Sequence, residues 1–475
     1  MIAHPFPFCG GRYLVNLRGN PLEVFHKYDG SLLASVPQTS NAEHDLFISS
    51  ALNGLAALKS LDAAQKARIF NHVASHLNSK IDFYSQLISA EAGKPISLAK
   101  IEVERSIQTL ESGAREVMRF AGEVIPMDFG RGRGKHAITA KFPVGPVLAF
   151  SPFNFPLNLA LHKIVPALAV GCSIVLKAPP QAPLSILSLA AAFQEAGLPD
   201  GALNITVCDN QTAFNMLADV RYQAFSFTGS DRVGWLLKKD AGKKRCTLEL
   251  GGNAAVIVDE TADLHDAARQ IATSAFMFAG QVCISTQRVY VVESIAEVFR
   301  DLLISETAKI KSGDPSDELT LNGPLISKEA LLRMERLVSE AIRGGATVLA
   351  GGQTIDFQRN IFAPTILTAT TPEMAVNSEE TFGPIITFEG CRNADHAFEL
   401  ANNTRFGLQC GYFTQRLDRM KLALQQIRVG SLIINSAPGF RLDHMPYGGL
   451  DDSGEGLEGI RYAMEAFTET RLLVF

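Results

Sequence analysis

Cysteine, tryptophan and long apolar runs are scarce in this chain, and each scarcity excludes something. Seven cysteines in 475 residues, odd in number and irregularly spaced, do not form a disulfide framework. None is arranged as a CxxC pair, so no metal is expected. No apolar stretch reaches the roughly 18–20 residues that a membrane helix needs. The opening MIAHPFPFCGGRYLV lacks a charged segment followed by a long apolar run, which argues against a signal peptide and for a reducing cytoplasm. A net charge of -5, small for this length, argues against nucleic acid or an anionic membrane surface as a general partner. Basic residues gather locally only at Arg131, Arg133, Lys135 and His136, which read as a solvated or intersubunit face.

What is present is a globular composition, 47% hydrophobic, long enough for two or three cores. From Asn41 to about Phe120 apolar residues recur at three and four positions, which predicts helices. The stretch MDFGRGRGKHAITAKF then breaks the helices and reads as an exposed ribbon or hairpin. Beyond it, strand-like runs (VGPVLAF, SIVLK, ALNITVC, QAFSFTG) alternate with helical ones, the signature of an open parallel sheet with helices on both faces. Asn154, Lys177 and Gly229 each fall just after a strand-like run, where such sheets bind ligands. A second alternating series runs from near Ala254 to about Asn435, and the linker LELGGN puts Glu249 at the boundary of the two units.

The residues that could carry chemistry lie in small-residue settings. Cys283 sits in FAGQVCIS, where Gly280, Gln281 and Ser285 are not core-like. A buried, inert thiol is the ordinary fate of a free cysteine. Together with Glu249 in LELGGN, Asn154 in PFNFP, the FTGS turn at Gly229 and Ser230, and EETFGP around Glu380 and Phe382, the chain resembles the NAD(P)-dependent aldehyde dehydrogenase superfamily over nearly its whole length. Within it, the chain resembles the lactaldehyde and non-phosphorylating glyceraldehyde-3-phosphate dehydrogenase type.

That resemblance implies an α/β fold of two Rossmann-like doubly wound domains plus a small oligomerisation ribbon. The dinucleotide-binding domain would comprise residues 1–125 and 143–250, the catalytic domain 251–440, and the oligomerisation elements 126–142 and 462–475, giving a homodimer or homotetramer. It implies oxidation of a short hydroxylated or anionic aldehyde to its acid. Cys283 would be the nucleophile, Glu249 the general base for water, and Asn154 an oxyanion donor. Glu458 in GEGLEG matches a glutamate sometimes given proton-relay duty, although the arginine usual before it is Leu457 here. NAD or NADP would be held by Lys177, Gly229, Ser230, Gly234, Glu380 and Phe382. Pro180 replaces the glutamate that commonly disfavours NADP, yet no nearby arginine in sequence offers itself to a 2'-phosphate. In the loop APGFRLDHMPYGG, Arg441 and His444 are candidates for contact with the substrate. A catalytically retired binding protein, an acyl-CoA-forming relative and a cysteine hydrolase are the alternatives. The retention of Cys283, Glu249, Asn154 and Lys177 together disfavours the first, Glu249 the second, and the want of a histidine in a nucleophile motif the third.

Overall fold

The computed structural model describes residues 4–475. Two parallel sheets organise it. In the first, the strands Leu203–Thr206, Ile174–Lys177, Val147–Phe150, Ala224–Thr228 and Arg245–Glu249 lie side by side in that order, all parallel. The sequence order reverses between Val147–Phe150 and Ala224–Thr228, and a crevice opens at such a switch point beyond the carboxyl ends. Antiparallel pieces close both edges: Phe8–Cys9 with Arg12–Tyr13 on one side, Gly454–Glu455 on the other.

The second sheet carries Thr365–Thr368, Ile385–Cys391, Thr286–Val292, Ala254–Val258, Gln409–Phe413 and Ser431–Ile434, again parallel, with Thr347–Ala350 antiparallel at one edge. Its central strand Ala254–Val258 is apolar throughout because both faces are covered. Val256 and Val258 join one core with Ile271, Phe299 and Leu303, while Ala255 and Ile257 join another with Phe398 and Tyr412. The same alternation splits the first sheet, Val147 and Ala149 on one face, Leu148 and Phe150 on the other.

The helices expected before Phe120 form as His44–Leu58, Ala63–Ser79, Ile81–Ala92 and Ile96–Val117. Asp62 and Gln65 make a reciprocal capping box at the second, and Gly93, at φ 73°, ends the third in a left-handed cap. Beneath them lies a buried charge pair that no periodicity announces. Lys94 Nζ lies 2.5 Å from Glu102 Oε2 and 3.5 Å from the centre of the Phe155 ring. Glu102 Oε1 accepts the N–H groups of Leu157 and Asn158 at 3.0 and 3.2 Å, so the pair fixes the loop that carries Asn154.

The ribbon comprises Val124–Ile125, Ala137–Pro143 and the C-terminal Thr468–Val474, which pairs with Ala137–Pro143 over its full length. Residues 126–136 between the first two strands form a turn, since Gly130 and Gly134 are left-handed at φ 53° and 79° and break the extended chain. Arg131, Arg133, Lys135 and His136 are all exposed on it. The helix Ile460–Ala466 is not part of the ribbon; Ile460, Ala463, Met464 and Phe467 join the core of the first unit.

One close approach ties the cysteine loop to the rest. Gly280 has φ 68°, and a Cβ there would lie 2.2 Å from the carbonyl oxygen of Gly383. Gly280→Ala is therefore expected to lose about 1–3 kcal/mol of stability through combined strain and overlap. Denaturant titration checks this, and an unchanged midpoint would show that the loop accommodates a side chain.

Candidate active site

The helix Leu264–Phe276 ends abruptly, because Phe278, Ala279 and Gly280 are all left-handed at φ 52°, 53° and 68°. Such conformations are held only where surroundings over-determine them. Here Gln281 supplies the hold: its Nε2 donates to the carbonyls of Phe278 and Pro324, both at 3.2 Å, and its Oε1 accepts from Ile326 N at 2.9 Å. Ser285 Oγ donates to the last carbonyls of the helix, Ser274 and Ala275, at 3.1 and 3.2 Å. Cys283 sits between these two staples, facing a cavity.

That cavity, about 810 Å³, lies at the carboxyl ends of the first sheet and reaches the second unit. It gathers Asn154, Pro180, Gly229, Ser230, Glu249, Cys283, Glu380 and Phe382, eight residues singled out from the sequence. Lys177 ends its strand nearby, buried, its Nζ 5.9 Å from the centre of the Phe150 ring. Burial lowers its pKa. Gly234 is elsewhere employed: its N–H donates to Ser230 O at 2.9 Å, and a Cβ on it would lie 2.2 Å from Leu250. Gly234 thus packs the helix Asp231–Asp240 on the sheet rather than offering an N–H to a ligand. Arg232, on the same helix, lines the cavity together with Pro180. Sequence distance had hidden that proximity.

The cavity's shape and lining fit an extended dinucleotide. It runs from Pro180 past the N-terminus of a ten-residue helix, whose free N–H groups favour phosphate, to Glu380 and Phe382 beside the thiol. Close backbone approach makes this end narrow. A Cβ on Gly251 would lie 2.4 Å from Glu380 Oε2, and one on Gly252 would lie 2.7 Å from Cys283 O. The Gly252 N–H donates to Glu380 Oε1 at 3.1 Å. Burial pushes Glu380 up to about 8. Phe382, left-handed at φ 46°, turns its ring edge-on to Phe153.

Three chemical groups meet at the thiol. Asn154 donates from Nδ2 to Gln281 O at 3.0 Å, which leaves its second N–H uncommitted. Among the described residues the Cys283 N–H has no hydrogen-bond partner. Burial pushes the Cys283 thiol up to about 11, against the pull of its hydrogen bond with Tyr447. Glu249, buried, has neither carboxyl oxygen hydrogen-bonded. Its pKa is raised well above the usual range by burial and then by the negative charge of Glu458.

Glu458 is the opposite case. Burial opposes its charge as well, but Lys163, His162 and Arg441 override it and hold the pKa near about 2. Lys163 Nζ is 3.0 Å from Glu458 Oε1 and also donates to Ser226 and Thr228, at 2.9 and 2.8 Å. Arg441 is almost wholly enclosed, its Nη2 3.4 Å from Glu458 Oε2 and its Nε without a partner. Neither Arg441 nor His444 lines the cavity: Arg441 lies behind the Tyr447 ring, whose hydroxyl is on Cys283 Sγ, and His444 is exposed. Tyr447 and Lys163 escaped sequence reading, since one sits in a loop singled out for its charges and the other in an apolar helix.

Comparison with known proteins identifies the family. Residues 15–473 match the model of the aldehyde dehydrogenase family. The chain belongs to the aldehyde dehydrogenase family. It is 38% identical over 455 residues to a 3-sulfolactaldehyde dehydrogenase of Priestia aryabhattai, covering 95% of this chain and 94% of that protein. Among solved structures it resembles aldehyde dehydrogenase 21 of Physcomitrella patens in complex with the reaction product succinate, at TM-score 0.95 and 36% identity, covering 99% of this chain and 98% of that one. It also resembles glyceraldehyde-3-phosphate dehydrogenase GapN of Methanocaldococcus jannaschii complexed with NADP, at TM-score 0.92 and 34% identity, covering 97% of this chain and 100% of the other. The chain is an NAD(P)-dependent oxidoreductase acting on aldehydes, with the α/β fold of that family.

The state of Glu249 has a measurable consequence. Its folded pKa exceeds the unfolded value, so the native protein retains a proton that the unfolded chain releases. The stability this confers is complete below the unfolded carboxyl pKa and drains away as pH rises toward the folded one. Glu249→Gln removes that drain. In thermal scans its melting temperature relative to the parent is expected to climb as pH rises above the ordinary carboxyl range and to level off once pH passes the folded pKa of Glu249. A constant difference across that range would mean that Glu249 is ionised in the native state.

Proposed function

We propose that the protein oxidises a short hydroxylated or anionic aldehyde to its carboxylic acid, with Cys283 as nucleophile, Asn154 as oxyanion donor and Glu249 as general base. The observation that carries this is the convergence on one cavity of a thiol, an uncommitted amide N–H and a buried carboxyl with two free oxygens. The Cys283 thiolate forms a bond to the carbonyl carbon, and the developing oxyanion takes the second Asn154 N–H and the Cys283 N–H. Preorganised donors of this kind are each worth about a hundred- to a thousandfold in rate. The dinucleotide, when bound, supplies the acceptor for the hydride that leaves the same carbon. Pro180, Gly229, Ser230, Glu380 and Phe382 line the space for it, with Lys177 at its edge. Glu249 then takes a proton from water as that water attacks the thioester. The carbon–sulfur bond breaks, the acid leaves, and the thiolate returns. A carboxyl whose pKa is raised toward working pH suits this duty better than one of ordinary strength.

Substrate class follows from charge. Arg441 brings a buried guanidinium with an uncommitted Nε close to the reacting sulfur, and a charge-assisted hydrogen bond is strong in such a place. The relatives named for sulfolactaldehyde and for succinate as product support the same class. The reading rests on Arg441 alone, since His444 is exposed. A homodimer or homotetramer in the cytoplasm completes the proposal. Leu472, Leu473 and Phe475, 61%, 57% and 65% exposed on the ribbon, support assembly, and no described helix is long and apolar enough to cross a membrane.

A panel of short aldehydes assayed with NAD and with NADP tests the proposal. Hydroxylated or anionic aldehydes are expected to outperform alkyl aldehydes of equal length, and Cys283→Ala to abolish turnover while leaving cofactor affinity nearly unchanged by fluorescence titration. Turnover within tenfold of the parent in that variant would remove Cys283 from the mechanism.

Pro180 and Arg232, which line the same cavity, also favour a 2'-phosphate over a bare hydroxyl. Pro180→Glu is expected to raise the NAD-to-NADP ratio of kcat/KM, because a carboxylate accepts from a ribose hydroxyl but repels a phosphate. An unchanged ratio would place residue 180 away from the ribose.

A further inference from the structure

The proposed chemistry leaves one group at the sulfur unused. Tyr447 is 4% exposed, and its hydroxyl lies 3.1 Å from Cys283 Sγ, its only hydrogen-bond partner among the described residues. Its backbone is clamped in both directions: Tyr447 N donates to Glu458 O at 3.1 Å and Glu458 N to Tyr447 O at 2.6 Å. The Arg441 guanidinium lies over the ring, 3.6 Å from its centre. A cation on the ring face holds it in place and makes the phenol a stronger donor.

We propose that Tyr447 is a catalytic residue whose hydroxyl donates a hydrogen bond to the Cys283 thiolate, keeping the nucleophile charged and aimed at the aldehyde. This rests on Cys283 being the nucleophile. The need for such a donor is plain from what surrounds the sulfur. Glu249 approaches from the end of the first sheet and Glu380 from the turn before Ile385–Cys391, and both disfavour a negative sulfur. Arg441, from the same loop as Tyr447, is the favourable charge, and it reaches the thiol through the phenol ring. No lysine or histidine has its side chain on the thiol. Tyr447 itself keeps its proton, because burial and the adjoining thiol raise its pKa well above the ordinary value. The hydroxyl therefore remains a neutral donor across the working range.

The test reads the thiol directly. Iodoacetamide alkylates the sulfur as its proton leaves to water and iodide departs, and peptide mass analysis follows Cys283 apart from the other six cysteines. In Tyr447→Phe the pH midpoint of alkylation is expected to rise by about one unit, which lowers the rate near neutrality about tenfold. The kcat/KM profile should shift in parallel and converge with the parent at alkaline pH. Replacing Tyr447 site-specifically with 3-fluorotyrosine keeps the shape and strengthens the donor, so the midpoint should fall. An unchanged or lowered midpoint in Tyr447→Phe, or a loss of turnover equal at every pH, overturns the proposal as a packing effect. Should Tyr447→Phe not fold, the fluorotyrosine protein decides alone, and an unchanged midpoint there overturns it. Retained turnover in Cys283→Ala would instead discard the nucleophile itself, an outcome separate from the alkylation result.

Discussion

Two buried carboxyls compete for the same positive charges, and the site depends on which of them wins. Lys163 is placed on the Asn158–Val170 helix so that its ammonium meets Glu458, Ser226 and Thr228 at once, which satisfies all three of its donors. Glu458 is thereby held ionised although burial opposes its charge. Glu249, with neither oxygen hydrogen-bonded, is then the carboxyl whose pKa is raised. Burying one carboxylate unpaired is expensive, whereas burying it protonated is not. A pair of neighbouring acids pushed in opposite directions is how one environment sets aside a base with a raised pKa.

Everything else brings the reacting groups to that pair through close backbone approach. Gly251 makes room for Glu380, Gly252 for the Cys283 carbonyl, and Gly280 for Gly383. Each contact would be lost with a single methyl group. The loop bearing Asn154 is held from below by Lys94 and Glu102, whose charges are spent on Phe155 and on the first N–H groups of the next helix. Cys283, Asn154 and Glu249 therefore stand on three segments held by close backbone approach and buried hydrogen bonds.

Much of this was legible in the residues. Strand-like runs ending at Lys177 and at the FTG turn gave away the parallel sheet and the end at which a ligand binds, whereas Glu249, read as part of a linker, ends a further strand of that sheet, Arg245–Glu249. Cys283 stood out because its neighbours Gly280, Gln281 and Ser285 are not core-like, and Glu249 and Asn154 because their motifs resemble those of the family. The contacts that needed three dimensions did not. Gly234 reads as part of a phosphate loop, yet the side chain it makes room for is Leu250, from the next strand's end. Arg232 is far from Pro180 in the chain and lines the same cavity in the fold. Tyr447 looks like one tyrosine among eight until its hydroxyl is seen on the sulfur. Spacing along a chain reports periodicity well and reports the meeting of two loops not at all.

The arginines settle where an anion would be welcome. Arg105 makes two hydrogen bonds to Asp443, at 3.1 and 2.7 Å, and Asp443 also takes His162 at 2.8 Å and Asn158 at 3.1 Å. Burial opposes the charge of Asp443, but His162 and Arg105 hold it far below the usual carboxylate range, so that cluster is neutralised internally. Arg441 is differently placed. Its nearest carboxylate, Glu458, lies 3.4 Å away and is matched first by Lys163 at 3.0 Å. Positive charge behind the sulfur is thus incompletely matched, since Arg441 shares Glu458 with Lys163 and keeps its Nε without a partner. An aldehyde bearing a distal anion or hydroxyl would relieve that imbalance, and an alkyl chain would not, which is the physical reason for the proposed preference.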